Sequence, residues 1–70
     1  MPTNRKLWTD GDFQEAIDRH LPVRIFEDDQ LVGSGGHVIR FDDTTVVIQT
    51  SVSDLAYHDR SRCEFFELRR

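Results

Sequence analysis

The chain has 70 residues, with 13 acids against 9 bases for a net charge of −4, and hydrophobic residues make up 37% of it. A length of this order allows one domain with a thin core, and the negative balance excludes a protein that coats nucleic acid through bulk positive charge. A single cysteine, Cys63, excludes an internal disulfide; no Cys/His spacing fits a structural zinc site, and no apolar run nears the roughly 20 residues needed to cross a bilayer.

A core this small asks for a supplement, and self-association is the expected one. With no signal-peptide pattern at the N-terminus and only one thiol, a reducing cytoplasm is the expected compartment. Eight of the nine bases are arginine. Arginine suits phosphate contact and stacking on bases, although most arginines on a small domain are solvated surface.

Residues 1–8, MPTNRKLW, show no period and read as a flexible N-terminal arm from which Leu7 and Trp8 can pack back; a single domain is expected over 9–70. In DFQEAIDRHL the apolar residues Phe13, Ala16, Ile17 and Leu21 recur at helical spacing, which predicts an amphipathic helix over about 12–21. Asp12 followed by Glu15 reads as its capping box, and Pro22 ends it by forcing Leu21 out of helical geometry.

From Pro22 the period changes to two, and strands are expected over about 22–68. Val23 and Ile25 alternate with Arg24 and Phe26, and the acidic EDDQ makes a turn. The second strand, LVGSGGHVIRF, carries Gly33, Gly35 and Gly36, residues suited to a bulge or a sharp bend. FDD turns the chain into TTVVIQT, a β-branched run expected of a strand covered on both sides; SDLAYH and RCEFFEL complete the set.

One helix followed by five short, bent strands predicts a mainly β domain, an SH3-like five-stranded barrel. Phe65 and Phe66 point to opposite faces of the last strand. One can enter the barrel; the other needs a second apolar surface, most simply a neighbouring subunit meeting the open edges of the last two strands.

The order of these motifs resembles the bacterial Hfq branch of the Sm-like RNA-binding family. DFQEAIDRH leading into PVRIF is similar to the family's helix and first strand, GHVIRFDDTTVVI to its first sequence motif, and VSDLAYHDRSR sits where the family carries Val-Ser, an apolar pair and Tyr-Lys-His-Ala. The likeness covers roughly 10–68, with about one residue of adjustment in 27–36. It implies an Sm-like fold, cytoplasmic RNA chaperone activity in post-transcriptional regulation, and a hexameric ring closed by pairing the fourth strand of one subunit with the fifth of the next.

The resemblance also implies where single-stranded RNA would bind. On the pore side, the family's stacking aromatic falls on Thr44 and its preceding glutamine on Asp43; Tyr57 keeps the tyrosine, while His58 and Asp59 replace lysine and histidine. Repeated round a ring, Asp43 and Asp59 would oppose phosphate, although protonated His58 would return positive charge in mild acid. On the opposite face Phe26 holds the stacking position, with Val32 and Ser34 from the next strand, and Arg19 and Arg24 would form a thin basic rim.

Each of these residues also has a plain structural reading. Phe26 can pack on the barrel, Tyr57 can cover the core, and His58 can be an exposed side chain. The adjacent His58 and Asp59 do not make a general-base pair, because successive strand residues face opposite sides. No nucleophile motif is present and no helix follows GSGGH to make a phosphate loop, so catalysis, cofactors and metals are not expected. An oligomeric scaffold for protein partners, with little RNA affinity, is the alternative, and a divergent form kept for assembly alone is a third.

Overall fold

The computed structural model describes residues 4–68. In chain order these form β1 (Asn4–Lys6), α1 (Asp10–Arg19), β2 (Pro22–Glu27), β3 (Gln30–Phe41), β4 (Thr45–Ser51), β5 (Asp54–Asp59) and β6 (Cys63–Leu68). The domain is mainly β with one short helix, as the sequence leads one to expect. It has six strands rather than five, because part of the N-terminal arm is itself a strand; residues 1–3 of that arm lie outside the described residues.

The helix begins earlier than the Asp12–Glu15 pattern suggests. Thr9 is the N-cap, accepting from the Asp12 amide at 3.1 Å, and the Asp12 carboxylate accepts in return from the Thr9 amide at 3.1 Å and the Trp8 amide at 2.9 Å. A hydroxyl and a carboxylate at this spacing satisfy the orphan donors of the first turn from both sides. These bonds hold the Asp12 carboxyl below the usual carboxylate range. At the other end His20 turns left-handed (φ 51°), and its amide and that of Leu21 reach back to Ile17 and Ala16 before Pro22 opens β2.

All strand pairings are antiparallel, in the order β1-β6-β2-β3-β4-β5. β5 and β6 lie four places apart in that order, yet only residues 60–62 join them. Four strand spacings in a flat sheet would be about 19 Å, further than so short a connection reaches at about 3.5 Å per residue. The sheet must therefore curl, and His58 on β5 meets the Phe65 ring on β6 at 6.1 Å.

Two devices make the curl. The β2–β3 turn uses Asp28 and Asp29, both with positive φ (52° and 63°), matching a tight hairpin to the twist of its strands. β3 then slips register twice against β2, with Gly35 at φ 88° in one slip, and once against β4. At Gly36 a Cβ would stand 2.6 Å from Ile48 Cγ2 and 3.0 Å from the Gln49 carbonyl, so only glycine lets the strands approach there.

The inner face holds the core: Leu7, Phe13, Ala16, Val23, Ile25, Val38, Val46, Ile48, Cys63 and Phe65, with Ile17 and Phe41 at its border. Phe13 on the helix meets Phe41 and Phe65, each at 5.6 Å between ring centres. Val47 is buried between its sheet neighbours, so three consecutive residues of β4 are covered, as a β-branched central strand requires. Arg60 closes one end of this core. Its guanidinium lies over the Phe13 ring at 4.8 Å and Phe41 at 5.7 Å, donates to the Asp42 carbonyl at 2.9 Å, and pairs with Asp10 at 2.8 Å.

β1 is held by charge. Glu67 is 0% exposed on the inner face of β6, and directly across the ladder stands Arg5, whose Nε is 3.5 Å from Glu67 Oε1. The same guanidinium reaches Asp12 and Glu15 on the helix, each at 3.4 Å. A buried carboxylate is costly without a cation, so Glu67 specifies the docking of residue 5 and hence of the strand. Leu7 continues the connection through its amide to the Phe65 carbonyl at 2.8 Å and is itself buried.

Candidate RNA interface

Ladder partners share a face, so the register places the expected site residues directly. On the outer face one rung runs Lys6, Phe66, Arg24, Ser34, and the adjacent rung runs Glu64, Phe26, Leu31. Phe26 and Phe66 meet edge to face, 5.6 Å apart at 88°, and with Asp29 and Glu64 they line an open groove of about 410 Å³. Phe66 thus meets an apolar partner within its own chain and stays partly exposed. Val32 sits in the register slip beside this set and is exposed.

Cations border the same rings. Arg24 and Ser34 are exposed on the outer face beside Phe66. Lys6 pairs with Glu64 at 2.8 Å and lies over the Trp8 ring at 3.8 Å. Arg24 does not join Arg19 in a rim: its neighbours Val23 and Ile25 point into the core beneath the helix, so Arg24 projects on the face away from it. Arg19, exposed in the last helical turn, stands alone of the expected pair.

The expected pore-side residues come near one another but do not form a single surface. The β3–β4 turn is built on Asp42, whose Oδ1 accepts from the Thr44 and Thr45 amides at 2.9 and 2.8 Å; this lowers the Asp42 pKa and leaves Asp43 and Thr44 exposed at the tip. The Arg60 amide donates to the Thr44 carbonyl at 2.8 Å, which brings the tip beside the β5–β6 turn. There Asp59 accepts from the Ser61 hydroxyl at 2.8 Å and amide at 3.0 Å, bonds that hold its carboxyl low and keep it anionic.

Tyr57 and His58 part company. Tyr57 pairs with Val47 on the outer face and is 63% exposed; it does not cover the core. His58 pairs with the buried Val46 and turns inward to the Phe65 ring, so it is half-buried rather than an exposed side chain. Burial pushes its pKa below 6.5, with nearby Glu27 acting in the opposite direction. Mild acid therefore charges His58 less readily than a free histidine, and the positive charge it would gain faces the core rather than a phosphate.

His20 and His37, which the sequence leaves on separate elements, have ring centres 5.7 Å apart. Among the described residues no group of three or more His, Cys, Asp or Glu side chains is placed to hold a metal ion. The Cys63 thiol is buried and its pKa is raised, first by that burial. No helix among the described residues is long and apolar enough to cross a membrane.

Two features of this region lie beyond sequence reasoning. The pairing of Phe66 with Phe26 follows from β6 lying beside β2, a long-range adjacency with no local pattern. The consumption of Arg60 by the core also goes unsignalled, since an arginine in a polar turn reads as surface. Comparisons of the chain with family models, with characterised proteins and with solved structures return no match.

Proposed function

We propose that this chain is an Sm-like domain that binds single-stranded RNA on its outer sheet face and acts as a cytoplasmic RNA chaperone in post-transcriptional regulation. The observation that carries the reading is the Phe26–Phe66 pair, bordered on the same face by Arg24, Ser34 and Lys6. Aromatic platforms flanked by cations are a general means of holding single strands without reading every base. The resemblance supports it further, because α1 leads directly into β2 as the family's helix leads into its first strand.

On this reading the pore-side positions Asp43, Thr44 and Asp59 contribute little, being acidic or uncharged residues, with the exposed Arg62 the cation that acts on Asp59. The hexameric ring requires β5 of one copy to pair with β6 of the next. β1 occupies that edge of β6, so ring closure follows only when Asn4–Lys6 leaves it.

Titration with adenine-rich and uridine-rich oligonucleotides at low and moderate salt tests the proposal. Adenine-rich strands are expected to bind with an affinity that falls as salt rises, and Phe26→Ala to weaken them by about tenfold or more, the worth of one stacked base. Absence of salt-sensitive binding to either sequence contradicts it. A scaffold for protein partners is the second reading, favoured by the carboxylates of Asp29 and Glu64 in the groove. Affinity capture that recovers a protein partner and no RNA would establish it over the first.

A further inference from the structure

The way the helix ends brings two histidines together. The Leu21 amide reaches back to the Ala16 carbonyl at 3.2 Å, and Pro22, next but one after His20, stands across the β2–β3 ladder from His37. His20 is exposed and His37 half-buried, and their ring centres lie 5.7 Å apart with the planes at 72°. Among the described residues neither imidazole has a hydrogen-bond or ion-pair partner, so the ring nitrogens of both are unused. His20 also holds a φ of 51°, a left-handed conformation that glycine or asparagine adopts at lower cost. The fold thus keeps an imidazole where the helix end alone favours a smaller residue.

The spacing has a chemical meaning. A metal bonded to a ring nitrogen at about 2.0–2.1 Å lies about 3.2 Å from that ring's centre, so two imidazoles sharing one ion have centres between about 4.5 Å, for a right-angled pair, and about 6.4 Å, for a linear one. The observed 5.7 Å falls inside that interval. The nitrogen lone pair lies in the ring plane, so a shared ion must sit where the two planes cross. Planes at 72° do cross, whereas those of stacked parallel rings do not.

We propose that His20 and His37 together bind one divalent late first-row transition-metal ion, of the zinc, nickel and copper class, with water in its remaining positions. Imidazole nitrogen suits these metals, whereas magnesium and calcium take oxygen ligands. Among the described residues no third His, Cys, Asp or Glu completes the set, so the site is open and its ion exchangeable, unlike a closed structural zinc centre. The bound ion ties the end of α1 to β3, a role that goes beyond RNA binding and does not rest on it.

Titration of the full chain with zinc chloride, followed through the NMR signals of the histidine rings, tests this. The His20 and His37 signals are expected to shift together and to saturate at one ion per chain, while those of His58, which turns to the Phe65 ring, stay in place. Zinc is also expected to raise the thermal midpoint, because only the folded chain holds the two rings at this spacing. His20→Asn, which keeps a residue tolerant of the left-handed conformation at the helix end, and His37→Gln are each expected to weaken zinc binding about tenfold or more and to abolish the thermal rise. Nickel should reproduce the midpoint rise and magnesium should not. No ring shift up to about 1 mM zinc, a shift of one ring alone, an equal response to magnesium, or parent-like affinity in either variant would overturn the proposal. The parent titration is decisive by itself should a variant fail to fold, and oligonucleotide titration without added metal reads the RNA proposal separately.

Discussion

The two margins of the sheet are built on opposite principles. At one, a three-residue strand is fastened over β6 by a buried carboxylate, an arginine shared among Glu67, Asp12 and Glu15, and a lysine–glutamate pair outside. At the other, β5 carries leucine, alanine and tyrosine into solvent with no covering element among the described residues. Edge closure in a small domain can thus be encoded by one buried charge, and where no such charge exists the edge stays available to a partner.

The largest effect is expected where the curled sheet is sealed between these margins. Arg60→Ala removes a guanidinium that covers Phe13 and Phe41 and ties the β5–β6 turn to Asp42 and Asp10, and is expected to cost about 2–4 kcal/mol. Thermal melts should show the midpoint falling by about 10 °C or more. Retention of the parent midpoint would mean that the core does not need this seal.

Arg5→Ala should come next, at about 1–3 kcal/mol. That lies between the cost of an exposed pair and of a stranded buried charge, because Arg5 is part-exposed while Glu67 is fully buried. The variant also sharpens the comparison of the margins. With the clamp gone β1 should release β6, and sedimentation should then show species larger than those of the parent chain as β5 of one copy finds β6 of another.

Acid provides a smaller effect. Because burial lowers the pKa of His58, its contribution to stability is complete above about pH 6.5 and is lost as pH falls through the lower folded value. The midpoint of His58→Gln, measured relative to the parent chain, should therefore rise by a few degrees between about pH 7.5 and pH 5.5. An unchanged difference would mean that His58 is as solvated as in the unfolded chain. Smallest of all, Leu55→Lys should shift the melting midpoint of dilute monomer by less than about 0.5 kcal/mol equivalent, since the residue lies on an exposed edge.

Much of this architecture is legible in the sequence because it is local. The switch from helical to two-residue period at Pro22, the acidic turn at 28–29 and the glycines of β3 each act on their own neighbours, and each appears where expected. The helix start is not legible in the same way, because Asp12 is a good cap in isolation and only the bond from its own amide to Thr9 shows that it serves as the third helical residue. β1 is hidden for a different reason: three polar and charged residues have no periodicity, and their strand character comes from Glu67, more than sixty positions away. The outer-face site was legible at Phe26 and Ser34, but Phe66 belongs to it only through the adjacency of β2 and β6. The direction of His58 is not legible from its motif position, because the pairing with Val46 decides which way it faces.

Hydrogen exchange resolved by segment tests the contrast between the margins most directly. Protection of the amides in residues 4–7 together with those of Cys63–Leu68, while Asp54–Asp59 exchanges faster in dilute monomer, is the result expected of a fastened β6 and an open β5. Exchange of residues 4–7 at the rate of an unstructured chain, with β6 still protected, would contradict it and leave both margins free.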